Sequence, residues 1–406
     1  MFEWSETALM VGKMVRSFAE KEIEPLNEKL DSGEVLPFDL MRKMAQTFGL
    51  SEGFMLAGNS KKKGSEEESG DDGESNPAED PSITYMVMKE LSRVNPGFCL
   101  SFAASLGLCG LSIMKAGTPE QKKLFGVPVM KMDKIGAWGM TEPDAGSDAF
   151  SLKTTAVVDG DGYILNGSKT FITNAPFADV FVVYARIVRD GQKGVINAFV
   201  FDRDTPGLSV SKPMKKMGMC SSPTGEIFLS DVKATKLNLL GGKEKSPKKR
   251  QAMEVFIGER TGLPAMALGI VERCLEDALK YAVQRKQFGQ PIAEFQAVQL
   301  VIAEMFVAYE NVRNMLFKSI AMQKSGSSNL TTACAMKLYC ARAATKAALD
   351  AIQIMGGYGY MKEYHVELLM RDAKLLEIGG GTNEIQALMT ARELVRRTNE
   401  GQLYFI

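Results

Sequence analysis

The stretch Arg371 to Gln386, RDAKLLEIGGGTNEIQ, gathers the residue types that an anion- or carbonyl-binding turn needs. A polar helix end runs into Gly379, Gly380 and Gly381. Thr382, Asn383 and Glu384 then open a new helix. Glycine permits positive φ and lets a ligand lie against the main chain. A helix N-terminus aimed at that ligand offers free N–H groups and a positive partial charge. Taken alone, the stretch reads equally as a helix–loop–helix turn with a Gly C-cap and a Thr or Asn N-cap. The choice rests on residues upstream.

His365 is the only histidine, which excludes a His-based triad and a multi-His metal site. Acid–base work therefore falls to a carboxylate, Lys, Tyr or a cofactor. The six cysteines (Cys99, Cys109, Cys220, Cys274, Cys334, Cys340) form no CxxC pair and no zinc spacing. They read as buried or incidental thiols of a reducing compartment, and no metal is expected. Trp138 to Asp148, WGMTEPDAGSD, is a strand breaking into a loop of Pro, Gly and small polar residues. Such a loop can hydrogen-bond the edge of a planar heterocycle or a pyrophosphate, though a plain strand-end turn has the same composition. Phe171-Ile172-Thr173-Asn174 adds an aromatic face and a hydroxyl one hairpin later. Arg285-Lys286-Gln287-Phe288-Gly289 ends a long helix with a guanidinium suited to phosphate. Asp350 to Tyr360, DAIQIMGGYGY, is another helix stopped by glycines.

Three blocks must position these groups. Residues 1–130 read as helices, with apolar residues at i, i+3 and i+4 over 1–30, 37–48, 83–94, 99–116 and 119–123. They are interrupted by a charged insertion at 61–80 that reads as a solvated loop. Residues 131–245 switch to a period of two in short β-branched and aromatic runs divided by DG, NG and PG turns, which predicts an antiparallel β-barrel or sandwich. Residues 246–406 begin with a basic linker, GGKEKSPKKR in the run from Gly241 to Arg250. Long helices follow over 253–285, 292–324, 330–355, 363–376 and 383–397 and predict a bundle. The fold class is α+β.

The balance of 49 basic against 49 acidic residues among 406 points away from nucleic acid and anionic membranes. The chain is long enough for two or three domains. No apolar run is expected to approach the roughly 20 residues of a membrane span. Acids throughout the N-terminal amphipathic helix argue against a signal or transit peptide, so a cytoplasmic location is expected.

The order MTEPDAGSD, KTFITNA, RKQFG, IQIMGGYGY, LLMRDAK, GGGTNEIQ and AREL resembles the acyl-CoA dehydrogenase family from about Ser5 to Arg397. The insertion at 61–80 is the main departure. The resemblance implies an N-terminal helical domain, a middle β domain and a C-terminal four-helix bundle, usually in a homotetramer with FAD between subunits. It implies oxidation of an acyl-CoA thioester to the 2-enoyl-CoA, with electrons passed to electron-transferring flavoprotein. Matched residue by residue, Trp138, Met140, Thr141, Gly146 and Ser147 fall in the flavin-edge and substrate loop. Phe171 and Thr173 match the aromatic and hydroxyl that cover and hydrogen-bond the isoalloxazine. Arg285, Gln287 and Phe288 match the segment that reaches a neighbouring subunit's FAD, with Arg285 on the pyrophosphate. Gln353, Ile354, Gly356 and Gly357 sit at the adenosine end, and Thr382 and Glu384 lie beside the flavin phosphates.

The implied reaction removes a proton at Cα while a hydride leaves Cβ for flavin N5. The thioester carbonyl must be polarised in a dry pocket for a carboxylate to take that proton. In short- and medium-chain relatives the base directly precedes the Gly-Thr pair; here that place is Gly380. In isovaleryl- and long-chain-type members it lies on the bundle's first long helix beside an Arg, which matches Glu259 and Arg260. Glu259 is thus the expected base, ahead of Glu254 and Glu377, and the Gly380 N–H is expected on the thioester oxygen. Gly379 and Gly380 remove bulk beside Cα and Cβ. With Ser147 and Arg260 they form the expected substrate contacts, favouring a branched, cyclic or aryl-bearing acyl group. Isovaleryl-, cyclohexanecarboxyl- and (R)-benzylsuccinyl-type thioesters fit, the last ranked first. An acyl-CoA oxidase or flavin monooxygenase on the same fold is the competing activity. A non-catalytic scaffold is a third reading.

Overall fold

The computed structural model describes residues 3–48, 80–244 and 250–402; the side chains at 193, 250–259 and 261 fall outside that description. The charged insertion, up to residue 79, also lies outside the described residues. The N-terminal block comprises α1 (Glu6–Phe18), α2 (Asn27–Ser32), α3 (Phe38–Phe48), α4 (Pro81–Val94), α5 (Pro96–Ala103), α6 (Leu111–Ala116), α7 (Pro119–Gln121) and α8 (Val127–Met130). The helix expected to run unbroken to Leu30 is interrupted by a π turn at Ala19–Ile23 and a 3-10 turn at Glu24–Leu26. Pro25 cannot donate into an α-helical ladder, which accounts for the local change of winding.

One expectation needs correction. Pro96–Ala116 is a continuous helical stretch of 21 residues that is long and apolar enough to cross a membrane by length and composition. Its one charged residue is Lys115. The apolar spacing predicts a helix over 99–116, and the helix starts three residues earlier, with Pro96 in its first turn and Asn95 as its cap. Here it is a core element: Phe98, Cys99, Phe102, Leu106 and Met114 join the helical core, and Cys109 and Ile113 pack on the sheet.

The middle block forms one sheet of seven strands: β1 (Gly136–Gly139), β2 (Thr155–Asp159), β3 (Gly162–Thr173), β4 (Val180–Arg189), β5 (Gln192–Asp202), β6 (Leu208–Val210) and β7 (Thr224–Ala234). The order is β1-β4-β2-β3-β7-β6, with β5 on β4. The expected antiparallel domain is realised as a mixed sheet, because β4 runs parallel to β1 through Val180–Val183 and parallel to β2 through Arg186–Val188. Period-two patterning identifies strands and hairpins. It carries no information about which non-consecutive strands become neighbours.

The last block holds α9 (Arg250–Gln284), a short hairpin of β8 (Lys286–Gln287) and β9 (Gln290–Pro291), then α10 (Gln296–Lys324), α11 (Leu330–Met355), α12 (Val366–Ile378) and α13 (Asn383–Asn399). Its helices share a single apolar core with the N-terminal block: Leu91, Phe98 and Met41 belong to the same cluster as Ile270, Leu316 and Leu369. Ion pairs line one edge of the shared interface. Arg16 meets Glu90 at 2.7 Å, Lys89 meets Glu272 at 2.8 Å, and Arg93 meets Glu272 and Glu276 at 2.6 and 2.7 Å.

Two buried residues lock the blocks together. Asn174, at φ +67, donates to the carbonyls of Ser101 and Gly136 and accepts from the Ser101 hydroxyl. Asp372 accepts from the backbone N–H of Gly97 at 3.2 Å and of Met219, so one carboxyl touches all three blocks. His365 joins the same region, its Nε2 donating to the Val94 carbonyl at 2.6 Å.

Burial pushes the His365 imidazole down to about 4, with Arg273 adding to the effect. An unfolded histidine titrates near 6.5, so between these values the unfolded chain binds the extra proton. This contribution to stability is present above pH 6.5 and is lost as pH falls toward 4. The full shift corresponds to about 3 kcal/mol. His365→Gln should flatten the fall of the urea midpoint between pH 6.5 and 5; identical pH slopes for both proteins would refute the assignment.

Candidate active site

The glycine turn starts where α12 ends. Gly379 has φ −70° and ψ 159°, a conformation open to any residue, whereas Gly380 and Gly381 have φ +63° and +85°. The last two positions fall in the left-handed region that favours glycine. A Cβ on Gly379 would meet Leu375 atoms at 3.4 to 3.9 Å, ordinary contact. A Cβ on Gly381 would lie 2.7 Å from the Gln386 amide nitrogen and 3.6 Å from the Arg260 guanidinium.

Carbonyls in such a turn cannot pair with a helix ladder and need other donors. The Gln386 amide supplies the carbonyls of Gly380 and Gly381 at 3.0 and 2.9 Å. Lys337 reaches from α11 to the Gly381 carbonyl at 2.8 Å and the Asn383 side chain at 3.2 Å, although its own residue is 0% exposed. Thr382 caps α13, its hydroxyl accepting from the Ile385 N–H. Glu384 is exposed in the first turn, its carboxylate held below the usual range by its own backbone N–H and by Thr382. Its contacts are those of a cap.

Arg260, only 5% exposed, brings α9 against this turn. Glu259 is the preceding helical residue, and its side chain and that of Glu254 lie outside the described residues. Pro264 stands four residues after Arg260 and has no N–H to offer that turn of the helix. Glu377 pairs with Lys374 at 3.1 Å on the far side of Gly379.

The flavin-edge candidates form a second group. Trp138 packs edge-on against Tyr184 with ring centroids 5.1 Å apart, and Met140 is buried with Ala145 and Leu152. Their side chains therefore build the wall of the loop, while Gly146 and Ser147 are exposed at its tip. Phe171 is 69% exposed at φ +58°, on a bulge in the β3–β7 ladder between Lys169 and Ile172. Thr173 follows it on the same strand, paired with Thr224. The Thr170 N–H donates to the Thr141 carbonyl at 3.0 Å, tying the two segments together.

A third group lines a cleft of about 570 Å³ containing Arg285, Gln287, Ile354, Gly356 and Gly357. The Arg285 guanidinium lies 5.9 Å from the Tyr358 ring centre. Gln287 is exposed, its amide turned to the Lys286 carbonyl at 2.6 Å. Phe288 and Gly289, both at positive φ, form the tip of the β8–β9 hairpin, as two-residue hairpin turns require. Phe288 is 92% exposed there. Gln353 is exposed at the end of α11. A Cβ at Gly146, Gly356 or Gly357 meets nothing within 4 Å, so these backbones are open to a ligand. Open backbone, a guanidinium and two outward aromatic rings fit a dinucleotide carrying a flat ring system. The third group shares no lining residue with the flavin-edge loop.

Four contributors escaped the sequence reading. Lys337 and Gln386 hold the glycine turn; Glu142 and Lys169 form a buried pair beneath the flavin-edge loop. Lys337 did carry a signal, since it falls in the apolar stripe Ala333, Met336, Cys340, Ala344 of α11. Lys169 sits on the inward positions of β3 with Tyr163 and Leu165. A charge at an inward position has to be paired.

The glycines also differ in what substitution should do. Gly381→Ala adds strain at positive φ and a contact at 2.7 Å, and should cost more than about 1 kcal/mol in urea unfolding. Gly379→Ala should stay within about 0.5 kcal/mol. Equal losses at both positions would contradict this account of the turn.

Comparison with known proteins agrees with this architecture. Family models for the acyl-CoA dehydrogenase N-terminal, middle and C-terminal domains match residues 66–133, 137–232 and 249–395. The chain is 38% identical to the probable acyl-CoA dehydrogenase YngJ of Bacillus subtilis, across 97% of this chain and 100% of that protein. It is 35% identical to the caffeyl-CoA reductase-Etf complex subunit CarC of Acetobacterium woodii, across 97% and 100%. Identity is 33% to the cyclohexane-1-carbonyl-CoA dehydrogenase of Geobacter metallireducens, across 98% and 99%. Among solved structures, butyryl-CoA dehydrogenase from Megasphaera elsdenii superposes with a TM-score of 0.85 at 35% identity, covering 98% of this chain and 100% of that one. The FAD complex of PigA superposes with a TM-score of 0.84 at 28% identity, covering 98% and 100%. This chain belongs to the acyl-CoA dehydrogenase family, FAD-dependent oxidoreductases acting on the CH–CH bond of acyl-CoA thioesters.

Proposed function

We propose that this enzyme desaturates an acyl-CoA whose acyl group is branched, alicyclic or aryl-bearing, with Glu259 as the base. The observation that carries the assignment is Arg260: its guanidinium lies 3.6 Å from where a Gly381 Cβ would stand, so this turn of α9 faces the glycine turn. Position 259 is the helical neighbour of that contact, and Gly380 carries no side chain of its own to take the proton. In this reading the Gly380 N–H polarises the thioester oxygen and makes the α-proton acidic enough for a carboxylate. Gln386 and Lys337 hold the turn so that this N–H keeps its direction. Bound FAD would supply the two-electron oxidation.

The acyl preference rests on Gly379. Its backbone needs no glycine and a side chain would meet only ordinary contacts; in this reading the missing side chain leaves room beside the reacting carbons. A relative named for a cyclohexane-1-carbonyl thioester and another named for a caffeyl thioester are consistent with that space. (R)-Benzylsuccinyl-CoA stays first among the candidate substrates. The Etf complex of the second relative supports electron-transferring flavoprotein as the acceptor. Its name also favours a second reading, in which this site reduces a 2-enoyl thioester. We further assign the Arg285–Gly357 cleft to the FAD of a neighbouring subunit in a cytoplasmic homotetramer.

Glu259→Gln should bind FAD normally yet lower the rate of flavin bleaching by substrate about 10³-fold. Unchanged bleaching would move the base elsewhere. Gly379→Tyr should lower kcat/KM for cyclohexanecarboxyl- and aryl-bearing thioesters by about tenfold or more relative to butyryl-CoA. A uniform loss across that panel would refute the space argument. Slow reoxidation of the reduced flavin by air distinguishes the dehydrogenase from an oxidase.

A further inference from the structure

The loop after β1 and the bulge of β3 come from different parts of the sheet, and the reading of both as flavin-facing requires them to keep a fixed relation. A buried ion pair lies between them. Lys169 Nζ donates to Glu142 Oε1 at 2.7 Å and to the Met140 carbonyl at 3.2 Å. Glu142 also accepts from the Lys153 N–H at 2.5 Å, the Thr154 N–H at 3.0 Å and the Thr154 hydroxyl. Its own backbone N–H and carbonyl close the turn on Ala145 at 3.2 and 3.1 Å. The lysine stem passes Gly139, where a Cβ would stand 3.3 Å from Lys169 Cγ.

We propose that Lys169 and Glu142 are positioning residues for the flavin: together they set the loop Met140–Ser147 against the Phe171 bulge, so that loop and aromatic face meet the isoalloxazine in one geometry. The proposal rests on the reading of these segments as the flavin edge. The connections are short and directed. Lys169 is two residues from Phe171, and its ammonium holds the carbonyl directly before Thr141. Thr170, between them, holds the Thr141 carbonyl itself. A shift of the pair therefore moves both sides of the flavin contact at once.

Burial pulls the Lys169 ammonium down to about 8, against the attraction of Glu142. The Glu142 carboxylate is held below its usual range by Lys169 and Thr154 despite its burial. Either group alone would be a stranded buried charge, and breaking such a pair is more damaging than removing it whole. The nearby Lys153–Asp144 pair is exposed and serves as an internal control.

The test uses the FAD-loaded enzyme with Lys169→Met, the double variant Glu142→Gln/Lys169→Met, and Lys153→Ala. Each is read by FAD dissociation, the vibronic fine structure of the visible flavin spectrum and the flavin midpoint potential. The double variant carries no stranded charge and keeps the test valid if Lys169→Met fails to fold. A positioning pair predicts FAD affinity weakened at least about tenfold, blurred fine structure and a shifted potential in the double variant, with Lys153→Ala unchanged. A double variant with wild-type affinity, spectrum and potential overturns the proposal, because the pair then does no more than balance charge. Phe171→Ala separates the two levels. If it too leaves the flavin spectrum unchanged, the flavin-edge reading has failed; if it alters the spectrum while the double variant does not, only the pair's role has failed.

Discussion

A turn with two consecutive residues at positive φ exposes carbonyls that no helix can satisfy, and the site depends on how those carbonyls are held. Buried amide and carbonyl groups need partners, since an unpaired one costs about 1–3 kcal/mol. Here the partners are side chains from other elements: Gln386 from α13 and Lys337 from α11. The carbonyl side of the turn is therefore closed by side chains of two other helices. A buried ammonium serves well there, since it donates to Gly381 and Asn383 together.

Holding the turn at that place requires the helices on either side to be rigid. The N-terminal and C-terminal helices do this by forming one core instead of two, so α9 is packed from both directions and α11 rests against it. The sheet is attached to that core at a few polar points. Asn174 joins β3 to the helix beginning at Pro96, and Asp372 joins α12 to Gly97 and to Met219 of the β6–β7 connection. Burial raises the Asp372 carboxyl to about 7 even though two backbone N–H groups favour its charged form. The motif containing Asp372 reads in sequence as a polar helix end, and its structural role is to join three blocks.

Much of this was legible in the chain. Leu330–Met355 was read to the residue, because Asn329 caps it and glycines stop it. The turn from Gly379 to Gly381 was recognised from its glycines and the Thr382 cap. The parallel neighbours of β4 were not legible, because alternation within a strand is blind to strands far away in sequence. The helix over 99–116 was legible from its apolar spacing, whereas its start at Pro96, which brings it to membrane length, was not, because small and hydroxylated residues dilute its apolar character. Lys169 and Lys337 were passed over for a related reason: a lysine in an apolar pattern looks like a surface break until its buried partner is seen. Both motifs containing the flavin-edge candidates were visible, whereas the pair that joins them lies between Glu142 and Lys169, 27 residues apart.

The three glycines are alike in sequence and unlike in cause. Gly381 is required by its backbone and by the nearness of Gln386, and Gly380 by positive φ. A glutamate at position 380 would have to sit in the left-handed region, which L side chains with a Cβ disfavour. Gly379 obeys neither constraint: its φ of −70° suits any residue. Its lack of a side chain therefore calls for an explanation outside the backbone, and the proposed acyl preference supplies one.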